Sequence, residues 1–261
     1  PLDNDFINTP MLILHDVTTG YGKKVIAQHL NANLRRGELV ALLGPNGCGK
    51  STLLRTMAAL QPALSGIVSY EGQALTAYSQ RELAQRISIV LTQRIEAEAL
   101  TVEDVVKMGR TPYATLFSRS TDEDETTIHE AMARTQTEAF RHRMISTLSD
   151  GERQRVFIAK SLAQQTPLIL LDEPTAFLDF QTKVKTLRLL QQLAHSEQKA
   201  ILLSTHDVEL ALHFCDQLWL ISTLGIEVGT PRQLAEQGKI AHFFAAHDGI
   251  AFNDKEMRFV Y

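Results

Sequence analysis

One glycine-rich stretch carries the clearest chemistry in the sequence: Gly44-Pro45-Asn46-Gly47-Cys48-Gly49-Lys50-Ser51, with Thr52 as the next candidate contact. It lies between an apolar run and a helix-forming segment, which is the strand, turn and helix order of a phosphate-binding loop. Glycines let the backbone curl so that its amides and the helix dipole face phosphate oxygens. Lys50 would reach the β and γ phosphates, and the Ser51 hydroxyl would ligate Mg²⁺. The stretch predicts binding of a nucleoside triphosphate such as ATP.

Two adjacent carboxylates, Asp172 and Glu173, follow the apolar run 168–171. A central strand that ends beside the phosphate-binding loop would deliver both side chains to bound Mg·ATP. Asp172 would hold Mg²⁺ through water, and Glu173 would be the general base for the water that attacks the γ phosphorus. Taken alone, such a pair is typical of a strand that reaches solvent. The phosphate-binding loop upstream favours the catalytic interpretation.

Apolar patterning predicts the elements that must position these residues. Short buried strands alternate with helical segments, which predicts a parallel α/β sheet. Between about 94 and 165, apolar residues recur at helical spacing, so we expect an inserted helical subdomain there. The end of the chain predicts a small hairpin, two short helices and a last hairpin that turns at Asn253 and Asp254. The core strands we expect lie at 38–43, 87–91, 168–171, 200–204 and 217–221.

Composition narrows the functional class. The chain has 261 residues, 44% of them hydrophobic, which is ample for a packed core. Its net charge of −4 and scattered Lys and Arg residues predict no nucleic-acid partner. No apolar run approaches the roughly 20 residues that span a bilayer, and the polar, acidic start predicts no signal peptide. The two cysteines, Cys48 and Cys215, lack metal-ligand spacing, and free thiols favour a reducing cytoplasm.

A third motif lies just before the acidic strand: Leu148-Ser149-Asp150-Gly151-Glu152-Arg153-Gln154-Arg155. It resembles the signature motif of ABC (ATP-binding cassette) ATPases, and the resemblance extends from about Leu12 to Leu234. It implies an α/β fold: a P-loop NTPase core with a mixed sheet, an N-terminal antiparallel β subdomain and an inserted α-helical subdomain. The whole chain, 1–261, would be one ATPase domain. Its expected parts are a core at about 11–93 and 166–234, a helical subdomain at about 94–165 and a C-terminal tail at about 235–261.

The resemblance also implies roles for four further residues. Tyr21 occupies the position of an aromatic side chain that stacks on adenine, and Gln93 matches the Q-loop glutamine that senses Mg²⁺ and the attacking water. Asp179 ends a D-loop-like sequence, and His206 resembles the switch histidine that contacts the γ phosphate. Each has a structural alternative, such as a turn tyrosine or a capping histidine. Glu173, His206, Gln93 and Lys50 are thus the expected catalytic residues, and Ser51, Gln93 and Asp172 the expected Mg²⁺ residues.

The signature motif further implies a homodimer, or a pairing with a similar cassette. The Ser149 hydroxyl and the Gly151 amide, at the start of a helix, would contact ATP held by the other subunit. Two residues depart from the usual Leu-Ser-Gly-Gly-Gln: Asp150 replaces a glycine and Glu152 replaces the glutamine. A carboxylate near a triphosphate is unfavourable unless it points away or contacts a cation. We expect Asp150 to face outward.

Other segments are similar to the ATPases of importers for iron–siderophore complexes, haem and cobalamin. They are the Val-Val-x-x-Gly-Arg-x-Pro-aromatic run within 100–113, the stretches 148–165 and 204–211, and the Gly-Thr-Pro element at 229–231. This resemblance implies an integral-membrane permease dimer as partner, a substrate-binding protein that acts indirectly, and a peripheral location at the cytoplasmic face of the inner (cell) membrane. Met108, Pro112, Tyr113 and Phe117 are candidates for permease contact or, alternatively, for a helical core. The rival functions are a soluble ABC ATPase in cofactor or cluster assembly and a non-hydrolytic nucleotide-binding scaffold.

Overall fold

The computed structural model describes residues 9–91, 99–114, 121–244, 251–253 and 256–260. Its strands are β1 (Pro10–Tyr21), β2 (Lys24–Arg35), β3 (Leu39–Leu43), β4 (Ser65–Tyr70), β5 (Gln73–Ala74), β6 (Ile87–Val90), β7 (Leu168–Asp172), β8 (Ala200–Ser204), β9 (Gln217–Ser222), β10 (Gly225–Gly229), β11 (Ala251–Asn253) and β12 (Arg258–Val260). Its α-helices are α1 (Lys50–Met57), α2 (Gln80–Ala84), α3 (Val102–Lys107), α4 (Asp122–Arg134), α5 (Asp150–Ala163), α6 (Phe180–Glu197), α7 (Val208–Phe214), α8 (Pro231–Glu236) and α9 (Lys239–Phe244).

A six-stranded sheet with the order β10-β9-β3-β8-β7-β6 forms the centre of the fold. Strands β9, β3, β8, β7 and β6 run parallel, and β10 pairs antiparallel with β9. Every residue of β3, β7 and β8 is buried, as expected for apolar parallel strands that are covered on both faces. Because parallel strands share one carboxyl edge, the ends of β3, β7 and β8 bring the candidate phosphate-binding loop and both carboxylates to the same side.

A second sheet, with the order β2-β1-β4-β5, is antiparallel throughout. Its inner side chains share a buried hydrophobic cluster with α1 and with one face of the central sheet. This cluster fixes the first helix between the two sheets, directly behind the glycine-rich loop. The mixed central sheet and the antiparallel N-terminal sheet confirm the predicted fold class.

Helices dominate the segment before β7. Among residues 99–114 and 121–163, the β pairing consists of one isolated bridge, between Thr101 and Met144. Each of α3, α4 and α5 begins with a capping box, in which a Ser or Thr and an acidic residue three positions later satisfy each other's backbone amides. Buried side chains of these helices share one hydrophobic cluster with the central sheet. Because this cluster is continuous across the two regions, it does not mark where one ends, and the subdomain boundaries at about 94 and 165 stay a prediction.

The C-terminal segment contains the elements that the sequence predicts. β9 and β10 form a hairpin, α8 and α9 follow, and β11 pairs antiparallel with β12. Residue 254 of the expected last turn lies outside the described residues. Phe244 and Phe259 make an edge-to-face contact at 5.7 Å between ring centroids and pack against the main cluster. Within the described ranges, no helix combines the length and apolar character needed to cross a membrane.

Candidate nucleotide-hydrolysis site

The glycine-rich loop connects β3 to α1 and is shaped by close backbone approaches. A Cβ atom at Gly44 would lie 2.6 Å from the Cys48 sulfur and 2.7 Å from the Ile221 carbonyl oxygen. Gly49, at the N-cap of α1, has a φ of 103°, a conformation that favours glycine. No side chain caps α1, and its first turn contains no acidic residue. The loop thus presents an uncapped helix start, the arrangement that suits an anion.

Lys50 is the first residue of α1, and its side chain folds back over the loop. Its ammonium group donates to the carbonyl oxygens of Gly44 at 2.7 Å and Pro45 at 3.2 Å. The charge is therefore held directly above the curl of the loop. Pro45, Asn46 and Gly47 form the exposed outer part, whereas Cys48 is buried beneath it. Burial raises the pKa of the Cys48 thiol, so this side chain packs against the loop as a neutral group.

Tyr21 lies at the end of β1, next to α1. Tyr21 is 50% exposed, and its hydroxyl lies 3.2 Å from the Thr52 hydroxyl. Since Thr52 sits in the first turn of α1, this hydrogen bond ties an accessible aromatic face to the helix that follows the phosphate-binding loop. The position suits a side chain that stacks on a base, and the adenine role of Tyr21 stays a prediction.

Asp172 is the last residue of β7, and its register partner on β8 is Ser204. The Ser204 hydroxyl donates to Oδ1 of Asp172 at 2.7 Å, and the backbone amide of Glu173 donates to the Ser204 oxygen at 3.0 Å. Asp172 is 5% exposed and Ser204 is fully buried. Sequence reasoning did not single out Ser204. Its only signal was that the runs 168–172 and 200–204 have equal length and end at the same sheet edge.

Glu173 turns away from the strand direction immediately after Asp172. Its φ is 50°, an uncommon value for a residue with a side chain. Its carboxylate lies 2.9 Å from Nε2 of His206 in the loop after β8. The structure thus brings together two predicted catalytic residues that are 33 positions apart in the sequence.

Two neighbouring elements carry oxygen donors of the kind that a magnesium ion binds. α1 carries the exposed Ser51 hydroxyl at its second position and packs against β7, which ends with the Asp172 carboxylate. A hydroxyl and a carboxylate are the hard oxygen donors that Mg²⁺ prefers alongside phosphate and water. These residues therefore fit the ion. Gln93, the third predicted magnesium residue, lies outside the described residues.

The signature motif opens α5. Ser149 is its N-cap: both the Ser149 amide and the Ser149 hydroxyl donate to Oε2 of Glu152 at 2.9 Å. The Ser149 hydroxyl hydrogen is therefore already engaged by a carboxylate of its own helix. At Gly151, a Cβ atom would meet Leu178 at 3.1 Å and the Phe177 carbonyl oxygen at 3.4 Å, so this glycine lets the segment 177–178 approach the helix start.

Two further acidic residues near the motifs have partners within their own helices. Asp150 is 42% exposed at its side chain and accepts from Arg153 at 3.0 Å, so its charge is balanced by a cation. Asp179 caps α6: it accepts from the amide of Thr182 at 3.0 Å and from the Thr182 hydroxyl at 2.6 Å. These hydrogen bonds lower the pKa of Asp179. Asp179 thus has a structural role whatever its contact with nucleotide.

The candidates for permease contact separate into two kinds. Met108 is exposed, whereas Tyr113 is half-buried. The Tyr113 hydroxyl donates to the Gln164 carbonyl at 2.9 Å, and the Arg110 guanidinium lies over its ring at 4.2 Å. These contacts favour the helical-core alternative for Tyr113. Phe117 lies outside the described residues.

Comparison with known families identifies the chain's relatives. The family described as ABC transporter matches residues 27–176. The iron(3+)-hydroxamate import ATP-binding protein of Bacillus subtilis is 41% identical over 196 residues, which cover 75% of this chain and 72% of the relative. The hemin import ATP-binding protein of Streptomyces coelicolor is 39% identical over 224 residues, 85% of this chain and 79% of the relative. For the cobalamin import ATP-binding protein of Halobacterium salinarum, identity is 40% over 86% of this chain, which spans only 56% of that relative's length.

Solved structures give the same assignment. A chain of a transporter described as of metal-chelate type, in an inward-facing conformation, superposes with a TM-score of 0.78 at 26% identity and covers 97% of this chain and 96% of its own. A cassette from a dimeric post-hydrolysis state with bound ADP and Pi gives 0.74 at 27% identity, covering 84% and 98%. This chain belongs to the family of ABC transporter ATP-binding proteins, the ATPases of these transporters.

Proposed function

We propose that this chain is the ATP-hydrolysing subunit of an importer for metal complexes such as iron–siderophore, haem or cobalamin. The observation that carries the hydrolytic part is the 2.9 Å contact between Glu173 and His206, beside the buried Asp172 at the edge where the phosphate-binding loop lies. The cargo class is supported by similarity to the iron(3+)-hydroxamate, hemin and cobalamin import ATP-binding proteins.

In the proposed mechanism the loop residues bind and orient the triphosphate. Lys50 exchanges its carbonyl partners for phosphate oxygens, and the uncapped start of α1 receives the negative charge. Bound Mg²⁺, held by Ser51 and by Asp172 through water, would offset the charge of the β and γ phosphates. The Glu173 carboxylate accepts a proton from the attacking water, while His206 holds that carboxylate in place and lies ready to contact the γ phosphate.

The proposed active unit contains two copies of the chain. Ser149 and Gly151 of one copy would close on the nucleotide bound at the phosphate-binding loop of the other. The dimeric cassette with bound ADP and Pi supports this arrangement by similarity. The permease would dock on the helical side of the pair, so the complex would lie at the cytoplasmic face of the membrane. A substrate-binding protein would deliver the cargo on the other side.

Glu173→Gln tests the hydrolytic part. The amide cannot accept the proton, so we expect ATP hydrolysis to fall by at least about 100-fold. ATP binding, measured by calorimetry, should stay within a few-fold of the unchanged protein because the phosphate-binding loop is intact. Glu209→Gln, at an exposed carboxylate in the first turn of α7, is the control and should retain hydrolysis. Full hydrolysis by Glu173→Gln would favour the scaffold alternative.

The cargo part has a separate readout. Cells that carry only Glu173→Gln should lose uptake of one of the three labelled cargoes, an iron–siderophore complex, haem or cobalamin, and the protein should co-purify with a membrane permease. If the purified variant loses hydrolysis while uptake of all three continues, the importer assignment fails and the ATPase assignment stands. Co-purification with an assembly factor and no permease would favour the alternative in cofactor or cluster assembly.

A further inference from the structure

The Ser204 hydroxyl joins the two acidic residues of the site. Parallel pairing of β7 with β8 places Ser204 opposite Asp172 at the last register position. A hydroxyl has one hydrogen to donate and lone pairs to accept. The hydrogen goes to Oδ1 of Asp172 at 2.7 Å, and a lone pair takes the amide hydrogen of Glu173 at 3.0 Å. One buried oxygen therefore contacts both the candidate magnesium residue and the backbone of the candidate base.

Each of these two hydrogen bonds has a reason to be strong. Asp172 is 5% exposed, and a hydrogen bond to a buried carboxylate is charge-assisted. Glu173 has a φ of 50°, a backbone conformation that persists only where the surrounding structure holds it. The bond from its amide to Ser204 is one such restraint. The direction of the Glu173 side chain toward His206, at 2.9 Å, follows from that backbone conformation.

We propose that Ser204 is a positioning residue for ATP hydrolysis: its hydroxyl fixes the Asp172 carboxylate for magnesium and the Glu173 backbone for proton abstraction. It touches neither nucleotide nor water in this role and acts through the two acidic residues. The proposal rests on the hydrolytic role proposed for Glu173. A small hydroxyl side chain suits this fully buried space because its one oxygen can both donate to Asp172 and accept from Glu173.

Steady-state kinetics of Ser204→Ala give the first test. Misplacement of reacting groups by a fraction of an ångström slows chemistry strongly, so we expect kcat to fall on the order of tenfold. The KM for ATP should change less than about twofold, because the phosphate-binding loop and Tyr21 are untouched. ATP affinity without divalent cation should be unchanged, whereas the gain in affinity on adding Mg²⁺ should shrink within that twofold limit, since the Asp172 carboxylate loses one hydrogen bond.

A matched pair separates the hydroxyl from packing. Ser204→Thr and Ser204→Val enlarge the same buried position with side chains of the same shape, and only threonine keeps the hydroxyl. We expect the threonine variant to have a kcat at least about fivefold above the valine variant, at similar melting temperatures. The comparison stays informative if the alanine variant melts below the assay temperature. Ser88→Ala is the control: it removes a buried hydroxyl of β6, which β7 separates from β8, and that hydroxyl bonds with Ser161 of α5 at 2.7 Å. The kcat of this variant should be retained.

Two results would overturn the proposal. One is a kcat of Ser204→Ala within twofold of the unchanged protein. The other is equal kcat for the threonine and valine variants, which would assign any loss to packing alone. Glu173→Gln in the same assay separates failure of the proposed hydrolytic function from failure of the Ser204 proposal. If that variant hydrolyses ATP at full rate, the proposed function fails, whatever the Ser204 variants do.

Discussion

The starts of α1 and α5 each carry a motif that we predict to bind phosphate, but they differ in how their backbone amides are satisfied. α1 begins at Gly49 with no side-chain cap and no acidic residue in its first turn. α5 begins at Ser149 with a complete capping box and carries Asp150 and Glu152 in its first turn. Both helix starts are proposed to bind phosphate. Of the two, only α1 has a helix start whose positive dipole end is not already offset by a carboxylate. The second already holds a carboxylate of its own.

The difference separates a permanent binding site from a conditional one. Phosphate at α1 meets an uncapped helix start and the ammonium of Lys50. Phosphate at α5 would have to displace the Glu152 carboxylate from the amide and hydroxyl of Ser149, both at 2.9 Å. Exchange of one anion for another releases less free energy than binding at an uncapped helix. The signature end should therefore contribute to closure of a pair of chains more than to first capture of ATP.

The largest expected effect comes from closing the helix start of α1 with Gly49→Ala. A Cβ atom there would lie 2.7 Å from a methyl group of Ile26, and the φ of 103° is strained for alanine. Strain of roughly 1–2 kcal/mol adds to this clash, so we expect ATP binding to weaken at least about 30-fold by calorimetry. Gly47→Ala is the control: its φ of 78° also strains an alanine, but a Cβ atom there meets nothing within 4 Å, so the loss should be smaller. Equal losses of ATP affinity in the two variants would show that the conformation of the α1 start does not determine ATP binding.

Removal of the cap of α5 with Ser149→Ala should have a double effect. We expect the free energy of unfolding to fall by about 1 kcal/mol, as for other lost caps, and ATP hydrolysis by the paired chains to fall roughly tenfold. Thr121→Ala removes the same kind of cap from α4. It should match the loss in urea unfolding and leave hydrolysis intact. A parallel loss of hydrolysis in both variants would reduce Ser149 to a structural role.

The smallest expected effect, that of Glu152→Gln, tests the difference between the starts of α1 and α5 most directly. Glu152→Gln removes the charge that competes with phosphate while the amide oxygen can still accept from Ser149. A charge at a helix start is worth about 0.3–1 kcal/mol, so ATP-dependent pairing should tighten about 2- to 5-fold, measured by light scattering across an ATP titration. Weaker pairing of the variant would mean that the carboxylate assists closure.

This charge also has a pH signature. The Ser149 amide lowers the pKa of Glu152 below its ordinary value of 4.5. A carboxyl group with a lowered pKa in the folded chain stabilises the fold, and this stabilisation is complete when the pH is above the ordinary pKa. It is lost as the pH falls through the lowered pKa of the folded chain. The unchanged protein should thus be more stable than Glu152→Gln at pH 7 and lose that advantage in acid. A difference that persists there would contradict the assignment.

Sequence patterns predict this fold well because its strands and helix starts are encoded locally. The apolar runs before Gly44 and Asp172 predict β3 and β7, and the Ser-x-x-Glu pattern at 149–152 is typical of the capping box that the structure contains. The contacts between distant segments could not be predicted in the same way. The pairing of Glu173 with His206 and the bridge through Ser204 depend on strand register and on a left-handed backbone residue, and neither leaves a local pattern.

The close approach at Gly151 has a consequence for communication. A Cβ atom at Gly151 would lie 3.1 Å from the Leu178 side chain and 3.4 Å from the Phe177 carbonyl oxygen, so the start of α5 lies close to the segment that leaves Glu173. In a closed pair, the signature of each chain would meet the nucleotide of the other chain while this segment leads back to its own Glu173. If α5 moved when it contacted the ATP bound to the other chain, the movement would thus displace Glu173 of its own chain. Hydrolysis should depend cooperatively on ATP concentration, and a bulkier residue at position 151 should reduce the Hill coefficient.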